Sequence, residues 1–139
     1  MKVINQLYPT MEQILPLAQD PAPEPVAMVN LLKFRDTAQY ADGRSENISG
    51  REAYLRYAAR MRRIVEAAGG RFLFSGDVKG LVLGEVEELW DAVGIVEYPS
   101  RAAFHRIATS PEVQEIGVDR EAGLAGQLLI MTVGTEFPR

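Results

Sequence analysis

Residues 26–34 read VAMVNLLKF, and this run decides how the rest of the chain is interpreted. It is bounded by a proline and a charged segment and is rich in residues that favour extended backbone, so it predicts a β-strand. Because side chains alternate across a strand, Val29 and Leu31 face one way, whereas Met28 and Leu32 face the other. Both faces of the predicted strand are therefore apolar, which indicates that both are covered.

The segments on either side of this strand predict helices. Thr10 and the glutamine three residues later have the spacing of a capping box, which predicts a short helix that a proline-rich stretch then ends. Residues 35–47 are polar and read as a long loop, a kind of connection that often carries function. Ser49 and Glu52 form a second capping-box pattern and open a long amphipathic helix, which Gly69 and the following glycine end.

Beyond the long helix, the pattern becomes extended again. Three more strands are expected, at residues 71–83, 90–98 and 126–133. Between the last two, Ser100 is a candidate N-cap for a helix, and Ser110 with the next proline restarts that helix toward Arg120. Interior glycines often mark bulges, so we expect the second strand to bend at Gly76 or Gly80.

The resulting order is β-α-β-β-α-β after an N-terminal helix. This is the ferredoxin-like, split βαβ arrangement, with a four-stranded antiparallel sheet and the long helices on one face. We therefore predict an α+β fold. Residues 1–25 are expected to form an N-terminal helical extension with a proline-rich linker, and residues 26–139 a single ferredoxin-like domain.

Two helices can cover only one face of such a sheet, yet both faces are apolar. In the third strand, for example, Val93 and Ile95 oppose Tyr98. An uncovered apolar face of this size is uncommon in monomers, and a second copy related by two-fold symmetry is the usual cover. We predict a homodimer through the face that carries Val29, Leu31, Val93 and Ile95. The alternative is that the short N-terminal helix folds over this face.

Composition excludes several functional classes. The 139-residue chain has no cysteine, which excludes disulfides, thiolate catalysis and cysteine-ligated metal sites. Its formal net charge of −4 gives poor electrostatic grounds for binding nucleic acid or an anionic membrane surface. No signal peptide or membrane-spanning run is recognisable, so a cytoplasmic protein is expected. We predict no nucleic-acid or membrane partner and no metal site.

Several segments resemble the domain of unknown function 1330 family. They are VNLLKFR at 29–35, SGREAY at 49–54, WDAV at 90–93, VEYPSR at 96–101 and Arg120 with the AGL that ends at 124. The resemblance implies the dimeric α/β-barrel superfamily, in which two ferredoxin-like sheets pack into a barrel and ligand pockets lie between sheet and helices. Its haem-degrading relatives carry an iron-ligating histidine near the position of Ile116 or Gly117. This chain has none there, and we expect no cofactor.

In a pocket between sheet and helices, Asn30 is the first candidate for binding a substrate. A buried amide needs a partner, which is either a ligand or water, or else nearby backbone or Ser/Thr groups, in which case it only fixes the strand geometry. Tyr54, Tyr57 and Tyr98 should face the same pocket. The alternative for these tyrosines is an ordinary core position with the hydroxyl at the rim.

The remaining candidates carry charge or a titratable ring. His105 is the single histidine, so with Tyr54 it is our candidate for catalytic proton transfer. Its place beside Phe104, off the apolar stripe, favours the alternative of a surface or rim position. Lys33 and Arg35 leave the first strand beside the polar loop and are candidates for binding an acidic substrate group. The alternative is that both are solvated charges at the strand end. Glu97 points toward the predicted dimer interior and would need a cation such as Arg71.

Two functions remain open at this point. The first is a cofactor-free enzyme that acts on a small molecule in the predicted pocket. The second is a non-catalytic binding or structural homodimer, in which side chains fill the pocket. A cavity beside Asn30 would favour the first function, and a packed interior would favour the second.

Overall fold

The computed structural model describes residues 3–137 and confirms the predicted ferredoxin-like α+β fold. In chain order its elements are α1 (Met11–Gln19), β1 (Val26–Phe34), α2 (Gly50–Ala67), β2 (Arg71–Asp77), β3 (Ala92–Tyr98), α3 (Arg101–Ala108), α4 (Pro111–Gly123) and β4 (Leu124–Thr132). The strands form one antiparallel sheet in the order β2-β3-β1-β4. Within the described chain the sheet is open, with β2 and β4 at its two edges.

Each helix begins at the N-cap residue that the sequence predicted. The Thr10 hydroxyl accepts from the backbone N–H of Gln13, and the Gln13 side chain accepts from the N–H of Thr10, so the first capping box is complete. Ser49 accepts from the N–H of Glu52 at 3.0 Å. Ser100 and Ser110 likewise accept from the N–H three residues later. These local bonds satisfy backbone donors that the helices leave free.

The predicted extent of β2 was wrong, because the strand ends at Asp77 and residues 78–91 are irregular. The side chains expected to continue it have no neighbouring strand on which to pack, and Val82 is fully exposed. The predicted bend was also misplaced, since the pairing with β3 shifts between Phe72 and Phe74 rather than at Gly76 or Gly80. Gly76 instead leaves room for the ring of Phe74, which would lie 2.9 Å from an added Cβ.

One face of the sheet packs against the helices and forms the main core. Its buried members from the strands and helices are Val26, Met28, Val96, Tyr98, Met61, Val65, Phe104, Ile107, Val113 and Ile116. α1 packs on α3, and Leu17 contacts this same core. Asp20 at the end of α1 pairs with Arg101 at the start of α3. The N-terminal helix therefore lies on the helix side of the sheet, which excludes it as a cover for the other face.

The other face, which we call the outer face, stays partly open to solvent. Val29, Leu31, Val93 and Ile95 are half-buried there. Ile130 beside Val29 is 45% exposed. Glu97 does pair with Arg71, at 3.0 Å, as the sequence required. The outer face is thus an apolar surface with one ion pair at its end.

The start of α2 and the end of α4 approach each other closely. An added Cβ on Gly50 would lie 2.1 Å from the carbonyl oxygen of Arg35, and one on Gly123 would lie 2.3 Å from the carbonyl oxygen of Gly50. The N–H of Gly50 donates to the Arg35 oxygen, and the N–H of Arg35 donates to the Gly123 oxygen. Three backbone segments therefore meet where no side chain fits.

We expect the replacement Gly123→Ala to lower the free energy of unfolding by about 1–3 kcal/mol, because the new methyl group meets backbone that cannot move aside. Gly117→Ala on the same helix is the control, since an added Cβ there meets nothing within 4 Å. That variant should gain about 0.5–1 kcal/mol, because alanine favours helix. Urea unfolding followed by circular dichroism measures both, and equal effects would contradict the role given to Gly123.

Candidate functional site

A cleft of about 1470 Å³ lies between the helix-facing side of the sheet and the helices. Apolar side chains form most of its wall, among them Met28, Met61, Phe72, Val96 and Phe104. Its polar lining includes Asn30, Tyr54, Tyr57, Tyr98, Arg120 and Gln127. Such a mostly apolar cavity with a few polar groups is typical of a small-molecule site.

The three tyrosines come from two elements and lie together. Tyr54 and Tyr57 are one turn apart on α2, and their rings stack with centroids 5.6 Å apart. Tyr98 comes from the end of β3 and packs edge-on against Phe104, with ring centroids 5.0 Å apart. Within residues 3–137, none of the three hydroxyls forms a hydrogen bond with a protein group. Their rings pack against the core, as the alternative of an ordinary core position predicted. Their hydroxyls, however, line the cleft without a protein partner.

The environment of these phenols keeps them protonated. Burial raises the pKa of Tyr54 and of Tyr57 above the ordinary value, although the charge of Arg120 opposes this. Burial also raises the pKa of Tyr98, and the neighbouring phenols of Tyr57 and Tyr54 raise it further. At neutral pH the three groups are therefore hydrogen-bond donors rather than phenolate bases.

Asn30 is held by internal partners, which was one of its two alternatives. Its Nδ2 donates to the carbonyl oxygens of Met28 at 3.3 Å and Gly94 at 3.2 Å. Its Oδ1 accepts from Nε2 of Gln127 at 2.7 Å. Both N–H bonds of the amide are thus used within the protein. Asn30 lines the cleft, but its evident effect is to fix Gln127.

Gln127, held in place by Asn30, in turn orients the side chain of Arg120. Its Oε1 accepts from Arg120 Nε at 3.2 Å and from Arg120 Nη2 at 2.8 Å, and the same Nη2 donates to the carbonyl oxygen of Leu7. Sequence reasoning missed both residues as site candidates. Gln127 carried the same signal as Asn30, a buried amide in an apolar strand, whereas Arg120 looked like any helix-end cation.

The charged candidates lie elsewhere. Lys33 donates to the Leu89 carbonyl oxygen at 3.0 Å and pairs with Glu88 at 3.1 Å. Arg35 donates through Nε to the carbonyl oxygen of Leu124 at 3.1 Å. Both side chains are held in structural bonds, and neither lines the cleft.

His105 is half-buried on α3 and also lies outside the lining of the cleft. The structure therefore brings Tyr54, Tyr57, Tyr98 and Asn30 together but does not bring His105 to them. Its catalytic role stays a prediction from sequence. In the part of the chain that the structure describes, no group of acidic and histidine side chains is arranged to hold a metal ion.

A second buried polar contact lies outside the cleft. The Tyr40 hydroxyl donates to Oδ1 of Asp119 at 2.5 Å, and both side chains are buried. Tyr40 belongs to the predicted loop, which packs through a small cluster of Ala38, Tyr40, Ala53 and Ala122. This hydrogen bond joins the long loop to α4. The Tyr40 hydroxyl therefore has a protein partner, unlike the hydroxyls of Tyr54, Tyr57 and Tyr98.

Among residues 3–137, no helix has the length and apolar character needed to cross a membrane. Comparison with curated proteins finds no match to the sequence. A solved structure of a protein of unknown function, RPA0582 from Rhodopseudomonas palustris, is similar over 96% of this chain and 99% of that chain, with 29% identity and a TM-score of 0.84. A methylated form of RPA0582 gives 31% identity over 95% and 96% of the two chains and a TM-score of 0.85.

More distant likenesses show the fold alone. The cofactor-independent oxygenase SnoaB from Streptomyces nogalater is 14% identical over 82% of this chain and 96% of its own, with a TM-score of 0.53. The hydroxynitrile lyase from Passiflora edulis is 16% identical over 84% and 100%, also with a TM-score of 0.53. The model of the family described as domain of unknown function (DUF1330) matches residues 38–133. The chain therefore belongs to the DUF1330 family, as its sequence motifs predicted.

Proposed function

We propose that this protein is a cofactor-independent enzyme that binds a small, mostly apolar molecule in the cleft and stabilises negative charge on an oxygen atom of that molecule. The observation that carries the proposal is the group of unpaired hydroxyls on Tyr54, Tyr57 and Tyr98. Hydroxyls that line a cleft without a protein partner are free to donate to an oxygen atom of a bound molecule, and such a bond replaces one made to water.

The phenols suit an oxygen that gains charge during a reaction. Donors fixed at such an oxygen, in a site that excludes water, stabilise the transition state more than the ground state. Met61, Phe72 and Phe104 form an apolar part of the wall, which suits an apolar ligand body that would displace water from that side. The fold also accommodates such chemistry, since one distant likeness is named a cofactor-independent oxygenase and another a hydroxynitrile lyase.

Glu121 is our candidate for accepting a proton in this reaction. Among the described residues, the carboxylates that line the cleft are Asp77 and Glu121. Asp77 is paired with Arg51 at 2.7 Å, so its carboxylate already has a partner. Glu121 accepts only from a neutral group, the Tyr8 hydroxyl at 2.8 Å. Its carboxylate is therefore the more available base.

We further propose that the protein works as a homodimer through the outer face. The described helices all lie on the opposite side of the sheet, so Val29, Leu31, Val93 and Ile95 have no cover from their own chain. A second copy, related to the first by two-fold symmetry, would cover these side chains with its own outer face and form the barrel that the resemblance implies. The non-catalytic homodimer remains the alternative function, and it shares this interface.

The role of the cleft phenols predicts an unusual stability result. Tyr57→Phe should leave the free energy of unfolding unchanged or raise it, because it removes a hydroxyl that has no protein partner. Tyr40→Phe makes the same chemical change but leaves Asp119 buried without its donor, so it should lose about 1–3 kcal/mol. Thermal unfolding of both variants measures the difference. A large loss in Tyr57→Phe would mean that its hydroxyl serves the fold.

Catalysis can be tested with 2-tetralone, an apolar ketone whose enolate places negative charge on one oxygen atom. We expect the protein to accelerate deuterium exchange at the α-carbon in deuterated buffer, followed by proton NMR. Tyr57→Phe and Tyr98→Phe should each lower the rate by about 100-fold, the usual effect of removing one such donor. Glu121→Gln should lower it as well.

Tyr40→Phe is the matched control for this exchange, since its hydroxyl lies outside the cleft, and it should keep the wild-type rate. Binding of 2-tetralone without any acceleration would overturn the enzymatic proposal in favour of the non-catalytic dimer. A protein that neither binds nor accelerates exchange of the ketone would overturn the proposed use of the phenols.

The interface is tested by placing a charge on the outer face. We expect a dimer at micromolar concentration in analytical ultracentrifugation, and a monomer for Ile95→Asp or the milder Ile130→Asp, because a desolvated carboxylate opposes association. Met11→Asp changes an exposed apolar residue of α1 and should stay dimeric. Circular dichroism confirms that the variants fold. A wild-type monomer, or dimers of all variants, would contradict this interface.

A further inference from the structure

Arg120 is a cation in the cleft without a carboxylate partner. Most side-chain ion pairs of the described chain use other arginines: Arg44, Arg51, Arg56, Arg62, Arg71 and Arg101. Within residues 3–137, no acid lies within 4.0 Å of Arg120, which is half-buried. Its hydrogen-bond acceptors are the neutral oxygens of Gln127 and Leu7, and its guanidinium lies 5.6 Å from the centroid of the Tyr8 ring.

These neutral contacts orient the guanidinium without neutralising it. Nε and Nη2 are occupied, whereas Nη1 has no acceptor among the described residues. Glu121 is the next residue on α4, but its carboxylate accepts from Tyr8 instead. Partial burial weakens the hydration of the charge, so a counter-ion from outside the protein would be bound favourably.

Arg120 lines the same space as the phenols. Arg120 lines the cleft with Tyr54 and Tyr57, and its positive charge acts on both of those hydroxyls. Other cations of the lining are already neutralised, since Arg51 pairs with Asp77 and Arg62 pairs with Glu66. Arg120 is therefore the one arginine of the described lining without an ion-pair partner, and its single positive charge matches a single negative charge on a ligand.

We propose that the molecule bound in the cleft is a carboxylate, with its carboxylate group on Arg120 and its apolar body toward Met28, Met61 and Phe104. This rests on the proposed function and specifies its substrate class. The reacting oxygen at the phenols is then a second oxygen of the same molecule, as in an oxo acid. One unpaired cation favours a monoanion over a phosphate monoester, which carries nearly two charges.

Three probes of one shape test this proposal: 2-naphthoate, the neutral 2-naphthamide and 2-naphthyl phosphate, each titrated by calorimetry. We expect 2-naphthoate to bind at least about tenfold more tightly than 2-naphthamide, as a charge-assisted bond allows. Arg120→Met should abolish that preference, and Arg120→Lys should keep part of it because the charge remains. Arg106→Met is the matched control, because Arg106 is an exposed residue of α3, and it should not change binding.

Equal binding of the acid and the amide by the wild type would overturn the inference, as would a preference that survives Arg120→Met. Tighter binding of 2-naphthyl phosphate than of 2-naphthoate would overturn the assignment to carboxylates. If Arg120→Met does not fold, the wild-type preference and Arg120→Lys decide. The ketone exchange carries no charge requirement, so its success beside equal binding here would leave the proposed function standing and remove only the carboxylate.

Discussion

The contact between Gly50 and Gly123 is the constraint on which the rest of the structure depends. The end of α4 lies against the start of α2 so closely that the oxygen of one glycine occupies the space of a side chain on the other. The backbone of Arg35 joins both through hydrogen bonds. The end of β1 and both helices are therefore tied at one point, where only glycine fits.

The cleft follows from this point of contact. Tyr54 is the first tyrosine of α2 after Gly50, and Arg120 lies nearly one turn before Gly123 on α4, so a close approach of the two glycines brings both side chains to one end of the cleft. β4 begins directly after Gly123 and places Gln127 opposite β1, where it bonds to Asn30. A shift of either helix would separate the cation from the phenols and break the chain of amides that orients it.

The features predicted correctly from sequence were local. Caps at Thr10, Ser49, Ser100 and Ser110 depend on residues three positions apart, and alternating faces depend on the strand itself. The predicted extent of β2 was wrong because a strand needs a paired neighbour along its length, and the regular pairing with β3 ends at Asp77. The contact between Gly50 and Gly123 joins residues far apart in the chain, so no local sequence pattern predicts it.

The residues of the candidate site also differ in whether a local sequence pattern predicts them. The tyrosines were found because helical and strand periodicity assigns each to a face. Arg120 was missed because a cation at a helix end usually meets solvent, and only the tertiary structure shows that its neighbours are neutral. His105 drew attention through its chemistry, yet its place on α3 keeps it out of the lining of the cleft.

The two faces of the sheet explain why the polar groups can be so few. Asn30 has Val29 and Leu31 as its chain neighbours, and these point to the outer face, so one strand serves both the cleft and the proposed interface. A slip of one residue in the pairing of β1 would exchange the faces and place the amide in the apolar interface. The amide is held on its own side by Gly94, Met28 and Gln127, which fixes the register as well as the site. The hydrogen bonds that order the cleft are therefore also bonds that keep the outer face apolar.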